Sequence, residues 1–130
     1  MRPRVIKDAP TLREVEQSST EATNYIEDHF PEMSKAFKDI CDEQYRLFCM
    51  KQVNYGPRNI AVGTDLKKDE DIKLSLTGLW FRMNDKIQRL KNLLIIGTTD
   101  FVDESVEDSF QDVSNYGIIA QLVSRKKWGK

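Results

Sequence analysis

The chain carries one histidine and two cysteines in 130 residues, few glycines and prolines, and no surplus of charge in either direction. Each scarcity removes a class of function. His29, beside Phe30-Pro31, reads as a surface residue, and no Ser–His or Cys–His nucleophile arrangement can be assembled around it. Cys41 and Cys49 fall on one predicted helix, ~12 Å apart along its axis, too far to bridge to each other. Neither has a metal or redox motif around it, so both read as small apolar fillers in a reduced, cytoplasmic protein. The six glycines form no phosphate loop of the Walker or dinucleotide type. A formal net charge of -1 lacks the basic excess that duplex nucleic acid or an anionic membrane calls for. No apolar run approaches the roughly 20 residues of a membrane helix. The segment Met1 to Asp8 has no apolar core of a secretory signal.

What is present points to helices. The composition is 39% hydrophobic and 32% charged, weighted toward Lys, Glu, Arg and Leu over β-branched residues. The fold class expected is all-α, a small bundle of about four helices, with room for a short extended piece in the 56–73 loop. Residues 1–10 read as a flexible N-terminus and 11–130 as a single helical domain.

Thr11-Leu12-Arg13-Glu14 has capping-box spacing and starts the first helix, which Ser18-Ser19-Thr20 can interrupt. Pro31 opens the next, whose apolar positions Phe37, Ile40, Cys41, Tyr45 and Phe48 recur at helical spacing to about Tyr55. Gly56 then stops the helix and Pro57 prevents its continuation. Residues 58–73 read as a solvated loop, with Asn59-Ile60-Ala61-Val62 as the candidate extended piece. A strong helix is predicted over about 74–94, with an apolar seam through Leu76, Leu79, Trp80, Met83, Ile87, Leu90 and Leu94. Such a seam wants a partner, so a homo-oligomer is expected. Asp103 is the expected N-cap of the last helix, which runs to about Arg125.

That last helix carries the most informative pattern. On a helical wheel Glu104, Glu107, Asp108, Gln111, Asp112 and Asn115 share one face, and Ile118, Ile119 and Leu122 lie on the same azimuth above them. The plain alternative is a solvated face whose acids serve the helix dipole. The sharper reading follows from the segment 116–123, apolar nearly all round and therefore buried on both sides. The acids below it then line a cavity and need a counter-charge, for which Mg²⁺ with its attendant phosphate oxygens is the natural choice. On the preceding helix Arg82, Asp85, Lys86 and Arg89 share a face opposite the apolar seam. They form either an exposed ion-pair ladder or a source of cations for phosphate. Tyr55-Gly56-Pro57-Arg58-Asn59 sets a ring, a cation and an amide on one constrained turn, able to stack a base and bind its edge, or simply to end the helix.

Three blocks resemble a phage and prophage family, the nucleotide modification associated domain 1 group. They are Asn54-Tyr55-Gly56-Pro57-Arg58-Asn59-Ile60, the run from Leu79 through Arg82-Met83-Asn84-Asp85-Lys86-Ile87-Gln88-Arg89-Leu90, and the run from Asp103 to Gly117. The resemblance covers about residues 40–125 and implies a phage protein of nucleotide metabolism. More distantly the layout is similar to MazG-like all-α nucleotide pyrophosphatases, which hold Mg²⁺ with acids on two helices. That likeness implies metal ligation by Glu104, Asp108 and Asp112 with Glu43, and a catalytic role for Glu107 and Asp108. The earlier helix offers only Asp42-Glu43, because position 46 is Arg and position 47 is Leu.

The expected ligand is therefore a small-molecule nucleotide, contacted by Tyr55, Arg58, Asn59, Asn115 and Tyr116, with Arg82, Lys86 or Arg89 offsetting phosphate. Two functions stand side by side on this reading. One is Mg²⁺-dependent hydrolysis of a (deoxy)nucleoside triphosphate to monophosphate and pyrophosphate. The other is a non-catalytic binder that sequesters a nucleotide signal of host defence or assists a DNA-modification enzyme. A third, with the acids merely solvated, is a plain interaction module.

Overall fold

Thr11 opens the first helix as its spacing predicts. In the computed structural model, which describes residues 11–130, the Thr11 hydroxyl accepts from the Glu14 N–H at 3.2 Å. The Glu14 carboxylate in turn accepts from the Thr11 N–H at 3.0 Å. Helix α1 then runs Leu12–His29 without a break. The Ser18-Ser19-Thr20 stretch does not interrupt it. Thr20 and Thr23 turn their hydroxyls back onto the carbonyls of Glu16 and Ser19, so these residues stay satisfied inside the helix. His29 stacks on Tyr25 and is exposed. The segment read as a flexible N-terminus lies outside the described residues.

Helix α2 spans Pro31–Tyr55, with Pro31 at its first position, where the missing N–H leaves no bond unmade. It ends where the sequence places its end. Gly56 takes a left-handed φ of 68° and returns its N–H to Gln52 at 2.8 Å. By packing, the chain groups into two compact units, Met1–Glu43 and Gln44–Lys130. Cys41 is exposed and Cys49 half-buried, both as free thiols, so Cys41 does not serve as the filler expected of it.

The second unit contains the site. Asn59-Ile60-Ala61-Val62, the candidate extended piece, instead forms most of a single helical turn, α3, Arg58–Ala61, closed by Val62 in the left-handed region. Pro57 already sits at helical angles, φ -79° and ψ -17°, and its fixed φ starts the turn. The Ser75 hydroxyl then donates to the Ile60 carbonyl, which anchors the turn to the next helix. That helix, α4, spans Asp69–Leu90 and begins five residues before the expected 74. Asp69, Glu70 and Asp71 are its first turn rather than a solvated loop, because carboxylates there meet the positive end of the helix dipole. Past Leu90 the helix widens into a π-helical stretch, Lys91–Ile96, and stops at Gly97 with φ 83°.

The last helix, α5, is Val106–Ser124, and its cap is Ser105 rather than Asp103. The Ser105 hydroxyl accepts from the Asp108 N–H at 3.0 Å, and the Asp108 carboxylate accepts from the Ser105 N–H at 3.3 Å. A serine followed at the third position by an acid makes a reciprocal box that Asp103 could not complete. Helices α4 and α5 pack on each other around Ile60, Leu79, Ile119, Val123 and Trp128, with Phe48, Leu76 and Tyr116 partly buried against them.

Both wheel readings need rotating. The inward stripe of α4 is Ser75, Leu79, Arg82, Lys86 and Leu90, while Trp80, Phe81 and Ile87 face outward. On α5 the inward stripe is Ser109, Asp112, Tyr116, Ile119 and Val123, whereas Phe110 and Ile118 are exposed. The segment 116–123 is therefore buried on one side, not all round. Lys86 and Arg89 point into the helix pair, where carboxylates and carbonyls of α5 and the segment before it meet them, and Arg82 turns to the Asn59 carbonyl of α3. Among the described residues no strand forms, and no helix is long and apolar enough to cross a membrane.

Candidate functional site

The last turns of α2 present Phe48, Lys51, Gln52 and Tyr55 at intervals of three and four, so they share a face. That face, with Asn59 and Ile60 of α3 and Arg82 of α4, borders a cavity of about 320 Å³. Helix α5 closes it with Asp112, Asn115, Tyr116 and Ile119. Two devices hold the walls. Gln44 is buried and donates to the Ser114 hydroxyl at 2.8 Å and to the Asn115 carbonyl oxygen at 3.2 Å, tying α2 to α5. That bond takes one lone pair of the Asn115 oxygen and leaves its amide N–H groups to offer a ligand. The indole N–H of Trp128 donates to the Pro57 carbonyl at 2.9 Å, and its ring meets Phe48 edge-on at 6.0 Å. The Gly56-Pro57 turn is thereby pinned beneath the cavity wall.

The polar atoms of the wall are short of partners. Arg82 makes one hydrogen bond, long at 3.3 Å, to the Asn59 carbonyl. Among the described residues, the side-chain carbonyl oxygens of Gln52 and Asn59 are sealed from solvent and accept no hydrogen bond. An unpaired buried acceptor costs about 1–3 kcal/mol. Folding tolerates two such atoms on one cavity wall, and a wall of that kind gains more than an ordinary surface from a polar ligand.

Beside the cavity lies a charge network. The Lys86 ammonium sits 2.8 Å from the Glu104 carboxylate and 3.0 Å from that of Asp112. Lys51 approaches the other oxygen of Asp112 at 3.3 Å. One turn on, the Arg89 guanidinium reaches the Ser109 hydroxyl at 2.7 Å, the Asp100 carboxylate at 3.1 Å and the carbonyls of Glu104 and Ser105. Lys86 and Arg89 thus clamp the start of α5 onto α4. The hydrogen bond to Glu104 raises the Lys86 ammonium above its ordinary value; partial burial opposes this, and Asp112 adds to it. A raised lysine pKa contributes stability that is complete at neutral pH and is lost as pH climbs through the folded value. The stability difference between wild type and Lys86→Met should therefore stay flat across roughly pH 6–9. It should narrow once pH passes the ordinary lysine value of 10.5. Urea titrations at stepped pH check this, and a difference that grows with alkalinity would count against the network.

Tyr55, Asn59, Arg82, Asn115 and Tyr116, candidates for nucleotide contact, come together on the cavity with Asp112. Arg58 lies outside it, exposed, against the C-terminal residues Gly129 and Lys130. Lys86 and Arg89 do not border it either; their charges are spent on the start of α5. The Arg82–Asp85–Arg89 ladder does not form, and Asp85 is exposed. Of the acids, Glu107 is exposed and Asp108 serves as the cap partner of Ser105. Glu43 is exposed and belongs to the other compact unit. Glu104 and Asp112 do converge, but on Lys86. Among the described residues no three of His, Cys, Asp and Glu gather in a way that could hold a metal ion, and the two acids that do converge already share the Lys86 ammonium. Phe48, Lys51, Gln52 and Trp128 escaped the sequence reading. The first three could have been found by carrying the Tyr55 face back along α2.

Residues 75–123, from α4 through most of α5, match the family described as nucleotide modification associated domain 1. This is the family the sequence blocks resemble, and the match includes Arg82, Lys86, Asp112, Asn115 and Tyr116. Comparison with curated proteins and with solved structures gives no significant match.

Proposed function

We propose that this chain is a nucleotide-binding protein whose ligand occupies the cavity between α2, α3, α4 and α5. The observation that carries the reading is the make-up of one wall. Lys51 and Arg82 provide cations, Phe48, Tyr55 and Tyr116 provide rings, and Gln52, Asn59 and Asn115 provide amides, all around about 320 Å³. A nucleotide needs all three: a ring to stack its base, amides to meet the base edge, and cations for phosphate. The description of the matched family agrees with it. The geometry favours binding over turnover. Hydrolysis by the expected route needs carboxylates free to hold a metal and orient water. Here Glu104 and Asp112 are engaged by Lys86, and Asp108 by the Ser105 cap.

Equilibrium dialysis against the common ribo- and deoxyribonucleotides tests the reading. At least one should be retained unchanged, with affinity falling about 10–100-fold in Arg82→Met, the loss expected for a charge-assisted contact to phosphate. Circular dichroism identical to wild type would show that the variant is folded. If the whole panel passes through unbound, the cavity is not a nucleotide site.

A further inference from the structure

The place a divalent metal would take in this site is already filled by a side chain. Glu104, just before α5, and Asp112, two turns along it, are the two acids that converge beside the cavity. The Lys86 ammonium lies between them at 2.8 and 3.0 Å. All three side chains are shielded, with Lys86 24%, Glu104 26% and Asp112 15% exposed. An ammonium at those distances supplies both carboxylates with a hydrogen bond and a charge. A hydrated divalent ion would have to expel it and leave a lysine stranded beside two positive charges.

The charge count of the cavity then limits its ligand. Lys51 and Arg82 border it with two positive charges, and Asp112 is its one carboxylate. Lys86 is shared between Asp112 and Glu104, so three cations set against two carboxylates leave the cavity with about one uncompensated positive charge. A terminal phosphate monoester carries about -1.5 to -2 at neutral pH and already uses up that surplus. Each further phosphate adds negative charge that nothing else on the wall offsets, and which in other sites is met by metal. Volume points the same way, since about 320 Å³ sits at the small end of the roughly 300–1,000 Å³ usual for ligand pockets. Resting on the nucleotide reading above, we infer that the cavity takes a nucleoside monophosphate as its free dianion, with Lys86 as the resident counter-ion in place of a metal. Lys51 is the cation available to the phosphate. Its contact with Asp112 is the longer of the two lysine contacts, and Lys86 stays on Asp112 when Lys51 turns away.

Calorimetric titration with the mono-, di- and triphosphates of adenosine, guanosine, cytidine, uridine and thymidine tests this, each in millimolar Mg²⁺ and in chelator. The monophosphate of the preferred base should bind equally well, within about twofold, in both buffers, and at least tenfold more tightly than its triphosphate. Tightening by Mg²⁺ of tenfold or more, or a triphosphate that outcompetes the monophosphate, overturns the inference. Absence of binding by every nucleotide overturns the nucleotide reading itself. The counter-ion claim has its own readout, thermal unfolding with and without Mg²⁺ and no nucleotide present. Wild type and Lys86→Arg should be indifferent to Mg²⁺. Lys86→Met leaves Glu104 and Asp112 facing each other and should gain a Mg²⁺-dependent rise of several degrees. A Mg²⁺-dependent rise in the wild type overturns the claim whether or not Lys86→Met folds.

Discussion

Shortening Leu79 to alanine should lower unfolding stability by about 3–4 kcal/mol, within the range for a large-to-small change at a fully enclosed site. Leu79 is 2% exposed and lies in one cluster with Ile60 of α3, Ile119 and Val123 of α5, and Trp128. It is the α4 residue of that cluster, so the void left by alanine adjoins three other segments. Relaxation there is limited. Ile60 is tethered through its carbonyl to Ser75, and Trp128 through its indole to Pro57. Neither can shift inward without breaking its hydrogen bond, buried at Ile60 and part-buried at Trp128. Chemical denaturation should show the midpoint falling with an unchanged slope. A loss below about 1 kcal/mol would mean that the cluster is not the core.

Replacing Arg89 by methionine should be nearly as damaging, at about 3 kcal/mol, although methionine preserves most of the aliphatic stem. The guanidinium, 18% exposed, satisfies the fully buried Ser109 hydroxyl, the carbonyls of Glu104 and Ser105, and the Asp100 carboxylate. Its removal leaves the buried Ser109 hydroxyl and the part-buried Glu104 carbonyl without their partner. Because Asp100 is the more exposed partner, Asp100→Asn should cost much less, under about 1 kcal/mol. The contrast between the two variants in one denaturation series separates the buried contacts from the ion pair. Equal losses would assign the whole effect to the charge pair instead.

Helix type and most helix ends were readable from local chemistry. The Thr11–Glu14 box, Pro31 and the Tyr55-Gly56-Pro57 stop each depend on neighbours within a few residues, and each appears where the spacing puts it. The errors arose where a distant contact decided. Ile60 and Val62 have strand-like side chains, yet the Pro57 backbone and Ser75, fifteen residues away, make their segment helical. The orientation of α4 is the more instructive case. A wheel maximising apolar residues turns Trp80 and Ile87 inward. The protein turns Lys86 and Arg89 inward, because α5 and the segment before it offer Glu104, Asp112, Ser109 and two carbonyls, and it turns Arg82 to the Asn59 carbonyl of α3. No single-helix pattern contains that information, since it resides in the opposite helix.

The candidate site divides along the same line. Asp112, Asn115, Tyr116 and, from the Gly56-Pro57 turn, Tyr55 and Asn59 were legible as polar or aromatic groups at constrained places, and they border the cavity. The roles expected for Glu107 and Asp108 came from likeness to a metal-dependent layout. Local capping explains Asp108 without a metal. The acids looked alike in sequence because a carboxylate held by a cap, a lysine or water is the same letter in each case.

The Trp128 tether gives the molecule an optical division of labour. Trp128 is 8% exposed and Trp80 is 59% exposed, so the two indoles experience different polarity and should emit at separate wavelengths. The Phe48 ring is at once the edge partner of Trp128 and part of the cavity wall. Anything that displaces that ring from within the cavity changes the field around an indole that does not itself line it. The blue edge of the emission is therefore an intrinsic gauge of occupancy, and the red edge, from Trp80, is its internal reference.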